Sequence, residues 1–206
     1  MTGILTRIDL IRHGEPVGGR KYRGQTNDPL SDKGWAQMRA AVGDACPWQA
    51  IVSSTLARCM EFAQELAARH ALPLEPDPRL IELGFGSWEG HTPEELRRDD
   101  PARLLRFWND PLSHGPAGGE PLAQFEQRVL QAWRELIARH GGRHVLIVAH
   151  AGVIRTIVAH VAGVPLRHIF RVQVPSAGVT RIEVEHDRGY VLPRLVFHAG
   201  RLPELA

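Results

Sequence analysis

Cysteine is scarce. The 206 residues hold two, Cys46 and Cys59. Their spacing suits no metal-ligand motif, and their scarcity fits a reducing compartment in which thiols stay free. Both are read as lone buried core residues. Long hydrophobic runs are missing as well. No stretch approaches the ~20 apolar residues that a membrane helix needs. Arg7 and Asp9 interrupt the early residues where a secretory segment would carry its apolar stretch. A cytoplasmic protein with no membrane partner is the expectation. Charge of one sign is not in excess either: 25 Lys and Arg stand against 23 Asp and Glu, a formal net charge of +2. That excludes bulk attraction to nucleic acid, so any anion binding must come from locally placed arginines. Internal repeats and low-complexity tails are also absent.

The apolar residues that are present come in strand-length and helix-length groups. Ile8 to Ile11 and Gln49 to Ser54 read as strands, as does "HVLIVAH", His144 to His150. Val145–Ala149 is apolar on both faces, as suits an interior strand covered on both sides. Each strand is followed by a helical pattern. "SDKGWAQMRAAVG" opens on Ser31 as N-cap, and "TLARCMEFAQELAARH" is apolar at Leu56, Met60, Ala63 and Ala67. "GVIRTIVAHVAG" stops at Gly163. Two alternating runs flank Asp187-Arg188-Gly189 and predict an antiparallel hairpin. The pattern predicts an α/β chain with a mostly parallel, mixed central sheet.

The middle is less regular. "HTPEELRRDDPARLLRFW" begins with a capping box, Thr92 with Glu95 and Pro93 in the first turn. A Gly- and Pro-rich loop follows, then a long helix from about residue 122 to 140. We read residues 1–206 as one domain with a helical insertion at about 91–140, placed to form a lid.

Two histidines occupy equivalent places, His13 after the first strand and His150 after the 145–149 strand. Open α/β sheets bind ligands outside the carboxyl ends of their strands. Arg58 lies early in the helix after the 50–53 strand, Arg12 adjoins His13, and Glu82 sits in the glycine-rich "RLIELGFGSWEG". Zinc would suit two histidines and a glutamate, but Arg12 and Arg58 repel a cation, and no His-Glu-x-x-His helix is present. Guanidinium forks suit phosphate. Neighbouring positive charge keeps an imidazole neutral and nucleophilic. His13 is therefore the candidate nucleophile, Glu82 the candidate acid for the leaving alcohol, and the arginines with His150 the stabilisers of phosphoryl charge.

These residues resemble the histidine phosphatase superfamily, the phosphoglycerate-mutase-like proteins. "LIRHGEP" resembles its signature, and "GQTNDPLSDKGWAQ" its approach to the first helix. "VSSTLARCMEFAQEL" resembles the segment that carries over to Arg58, and "LIELGFGSWEG" the proton-donor loop that carries over to Glu82. "GGEPLAQFEQRV" resembles the opening of its long helix, and "VLIVAHAGVIRTIV" its second histidine segment, carried over to His150. The resemblance runs in order from about residue 7 to 180. It implies a three-layer α/β/α sandwich and a two-step, metal-independent phosphohydrolase without cofactor, with phosphohistidine formed on His13. Arg12, Arg58 and His150 would complete the phosphate pocket, with the Ala151 backbone N–H as a donor.

The chain also departs from the family pattern. Pro16 and Gly19 stand where the family often has Thr and Asn, and Ala151 where Gly is common. Arg23 is the candidate replacement for the missing Asn donor. No mutase-like basic insertion is present. Arg97, Arg98, Arg103 and Arg106 lie at helical spacing and read as a solvated face. Hydrolysis is favoured over mutase-type transfer or a non-catalytic phosphate sensor. The expected substrate is small and phosphorylated. Nucleotide-like α-ribazole 5′-phosphate of cobalamin synthesis is one candidate, its base stacked on Trp88, Trp108 or His114. Whether the hairpin after Ser176 pairs two copies into a homodimer is left open.

Overall fold

The computed structural model describes residues 4–44, 46–200 and 202. Among these residues six strands form one sheet: β1 (Ile4–Arg12), β2 (Ala50–Ser53), β3 (Leu74–Pro76), β4 (His144–Ala149), β5 (Val179–Asp187) and β6 (Tyr190–Gly200), in the order β3-β2-β4-β1-β5-β6. The first four in that order run parallel. β5 and β6 form the expected antiparallel hairpin at one edge. Its turn residues Arg188 and Gly189 both have positive φ, as a two-residue turn matched to strand twist requires. β1 is longer than the apolar core of Ile8–Ile11 suggests, because its first residues pair with β5. The three-residue β3 carries too little pattern to be read from sequence.

Alternation along the strands sends side chains to two cores. Ile8, Leu10, Val145, Ile147 and Ala149 pack with α5 (Leu122–Arg139) and α6 (Ala151–Ala162). Ile11, Ile51, Leu146 and Val148 pack against the other layer, α1 (Asp32–Val42) and α2 (Ala57–His70). The result is the expected α/β/α sandwich. Ser31 caps α1, its side chain accepting from the Gly34 N–H. Asp9 is fully buried within β1. Burial alone would raise its pKa, but hydrogen bonds from His144, Arg181 and Trp48 outweigh that and lower it. Cys59 is buried and Cys46 half-buried, both as free thiols.

The helical insertion is smaller than expected. α5 belongs to the sandwich, so the 91–140 insertion reduces to α3 (Pro93–Asp99) and α4 (Pro101–Asn109). The predicted Thr92–Glu95 capping box is present. The helical pattern breaks where Asp100 caps α4 ahead of Pro101, whose ring disfavours a helical residue before it. Trp88, Leu96, Leu104 and Phe107 form a small core of their own. Arg97 and Arg106 pair with Glu94 and Asp100 on the surface. Among the described residues no helix is long and apolar enough to cross a membrane.

Candidate active site

The topology dictates where the chemistry collects. β4 lies between β1 and β2, so the loops after these three strands meet at one edge. A cavity of about 290 Å³ opens there, lined by Arg12, His13, Arg23, Arg58, Glu82 and Ala151, among others. Six of the seven candidate site residues therefore line one cavity. His150 stands one layer back. It is fully buried, its ring centre 5.1 Å from that of His13.

His13 is positioned by glycines. Gly14 and Gly34 pack backbone to backbone, and a Cβ on either would overlap the other segment. The loop after β1 is thereby pressed onto the first turn of α1. The His13 Nδ1 lies 2.7 Å from the Gly14 carbonyl. A carbonyl only accepts, so Nδ1 carries the proton and Nε2 the lone pair. Burial, and then Arg12 and Arg58, hold the His13 pKa well below its usual 6.5. Sequence reasoning supplied the arginines; burial is the larger cause and needed the fold.

Arg58 is buried although charged. Its terminal nitrogens donate to the carbonyls of Thr26 and Gly24, at 2.7 and 2.8 Å, and its Nε donates to His150 Nδ1 at 3.3 Å. A guanidinium has five N–H groups, so two remain for a ligand. Because His150 Nδ1 accepts, its Nε2 carries the proton, which it donates to Ser54 Oγ at 2.7 Å. His150 thus braces Arg58 rather than facing the cavity. Burial, and then Arg58 and His13, keep it neutral as well.

Arg12 donates to the Val174 carbonyl, and its Nε is buried without a protein partner among the described residues. Arg23 donates to Asp28 and to the carbonyls of Val17 and Gly19. It ties the loop at Gly19 together while lining the cavity. The Glu82 carboxyl accepts from the N–H groups of Leu83 and Gly152, at the N-terminus of α6.

Three residues escaped the sequence reading. The Glu89 carboxylate accepts from the backbone of Gln25, Thr26 and Phe85, shaping the loop that receives Arg58. Arg128 binds Glu120 through two nitrogens and donates to the carbonyls of Arg79, Ile81 and Glu82, fixing the loop that bears Glu82. Arg155 lines the cavity. Of the residues proposed for stacking, only Trp108 lines it. Trp88 is buried with Leu96, Leu104 and Phe107, and His114 is exposed beside Asp110.

The neutral histidines have a measurable consequence. As pH falls through about 6.5, an unfolded chain takes up protons that His13 and His150 refuse while folded. Unfolding free energy therefore falls with falling pH in this window. Melting temperatures are expected to decline between pH 7 and pH 5, and less steeply in His13→Gln. A melting temperature constant across that range contradicts the assignment.

The family model of the histidine phosphatase superfamily, branch 1, matches residues 8–194. The chain belongs to that family. The chain is 33% identical over 205 residues to a bifunctional protein of Mycobacterium tuberculosis, covering 97% of the chain and 56% of that relative. It thus spans little more than half the length of that relative. It is 33% identical over 171 residues to a glucosyl-3-phosphoglycerate phosphatase of Mycolicibacterium vanbaalenii, covering 78% and 76% of the two chains. An Escherichia coli adenosylcobalamin/α-ribazole phosphatase is 27% identical, with 86% and 90% covered. Among solved structures, a Bacillus stearothermophilus protein superposes with a TM-score of 0.81 at 34% identity, covering 93% and 95%.

Proposed function

We propose that this histidine phosphatase hydrolyses small phosphomonoesters through a phosphohistidine on His13. The observation that carries the reading is the tautomer: Gly14 holds the proton on Nδ1, leaving the Nε2 lone pair on a side chain that lines a cavity beside Arg12 and Arg58. In the first step Nε2 bonds to phosphorus and the ester P–O bond breaks. The leaving alkoxide takes a proton from the Glu82 carboxylic acid. In the second step Glu82, now a carboxylate, takes a proton from water as the water oxygen bonds to phosphorus. The P–N bond breaks and phosphate leaves. Arg12 and the two uncommitted N–H groups of Arg58 neutralise the equatorial oxygens in both steps.

Tyr22, Trp108 and Phe170 line the outer cavity. They support a leaving alcohol with a planar or apolar body. α-Ribazole 5′-phosphate is one candidate of that kind, beside the phosphorylated acids named for other relatives. The test is phosphate release, with chelator present, from an aryl phosphate, α-ribazole 5′-phosphate, a nucleoside 5′-monophosphate and 3-phosphoglycerate. Brief reaction with labelled substrate is expected to leave acid-labile, base-stable label on the protein. No release from any of them would point to a phosphate-binding sensor and overturn the reading.

A further inference from the structure

The phosphomonoesterase reading uses Arg12, His13, Arg58 and Glu82. It leaves Arg155 without a task. Arg155 lies one turn beyond Ala151 on α6, so the two share a face of that helix, and both line the cavity. Its Nε–H donates to the Val172 carbonyl at 2.8 Å, and its guanidinium carbon lies 5.7 Å from the centre of the Phe170 ring. These contacts orient the plane of the group. Neither terminal nitrogen has a protein acceptor among the described residues, and neither is fully buried, on a residue that lines the cavity. With Nε committed, the two terminal nitrogens present an end-on fork.

Charge sharpens the point. Six basic side chains line the cavity, and Glu82 is the one acidic residue among the lining residues. Asp28 pairs with two of the six, Lys21 and Arg23. Arg12, Arg58 and Arg155 give their donors to carbonyls and to His150, and none forms an ion pair with a carboxylate among the described residues. Holding guanidinium groups partly desolvated without carboxylate partners opposes folding. A phosphomonoester dianion offsets only part of this excess, and it engages the groups beside His13.

We infer that Arg155 is a specificity residue that binds a carboxylate on the leaving alcohol, so that the preferred substrates are phosphorylated hydroxy acids. The planar fork matches a carboxylate through two parallel hydrogen bonds. The Phe170 ring covers part of the group and limits competition from water. The inference rests on the phosphomonoesterase reading and ranks such acids above α-ribazole 5′-phosphate, whose leaving alcohol carries no anion.

The test compares 3-phosphoglycerate with glycerol 3-phosphate, which differ only in carboxylate against hydroxymethyl. The quantity read is the ratio of their kcat/KM values within each variant, which cancels any loss of folded protein. Wild type is expected to favour the acid by about tenfold or more, the scale of one charge-assisted hydrogen-bonded pair. Arg155→Met brings the ratio to about one, and Arg155→Lys keeps part of the preference. A wild-type ratio near one, or an unchanged ratio in Arg155→Met, overturns the inference while leaving the phosphatase reading intact. No His13-dependent release from either ester or from an aryl phosphate overturns both.

Discussion

His13→Ala is expected to lower kcat for every phosphomonoester by about four orders of magnitude or more, the scale seen when a covalent nucleophile is removed, and to abolish protein-bound label. The side chain is fixed before substrate arrives. Gly14 sets the tautomer, and the close approach of Gly14 to Gly34 sets the position of the loop. Burial beside Arg12 and Arg58 keeps the ring unprotonated at pH values where a free histidine has begun to charge. The acid limb of the kcat/KM profile is therefore expected to lie below pH 6.5. The same variant removes a buried group whose protonation opposes folding, so its melting temperature at pH 5 should fall less than that of wild type. Activity lost together with a collapsed circular-dichroism spectrum would show a folding defect. Activity retained with label still present would move the nucleophile elsewhere.

Arg58→Met is expected to damage catalysis and stability together. The aliphatic replacement fills much of the volume but leaves two buried acceptors unpaired, the Gly24 carbonyl and His150 Nδ1, and a half-buried one, the Thr26 carbonyl. Unpaired buried polar groups cost about 1–3 kcal/mol each. Partial relaxation brings the expected loss to about 3 kcal/mol, or roughly 6–12 °C in melting temperature for a chain of this size. Removing a preorganised charge-stabilising donor lowers kcat by about 10²–10³. His150 would no longer be held by Arg58, so the second imidazole shares in the loss. Melting curves and steady-state kinetics on the same preparation separate the two effects. A variant with wild-type stability would mean that the 24–26 loop does not depend on Arg58.

Much of the fold was legible because its signals are local. Period-2 and period-3.6 patterns marked β2, β4, α1, α2, α5 and α6. Ser31, Thr92 with Glu95, and Gly163 marked ends that the backbone hydrogen bonds bear out. β3 was not legible, since three residues closing on Pro76 carry no period. The expected insertion was overdrawn because α5 has the same amphipathic pattern whether it covers a sheet or a loop. Its assignment to the sandwich rests on Phe125, Val129 and Trp133 meeting strand residues distant in sequence.

The candidate site divides in the same way. By itself the sequence determined the strand-to-helix order and the residue types at the strand ends: a histidine after β1 and another after β4, with an arginine early in the helix after β2. Those follow from hydrophobic spacing and from the chemistry each side chain can perform. Only the tertiary structure decided that β4 lies between β1 and β2, which brings the three loops together. Only it placed His150 behind Arg58, set the His13 proton on Nδ1, gave Glu89 and Arg128 their bracing contacts and turned Arg155 into the cavity. The reason is distance along the chain. The partners of Arg58 lie 32, 34 and 92 residues away, and no local pattern encodes which distant carbonyl a buried guanidinium will meet.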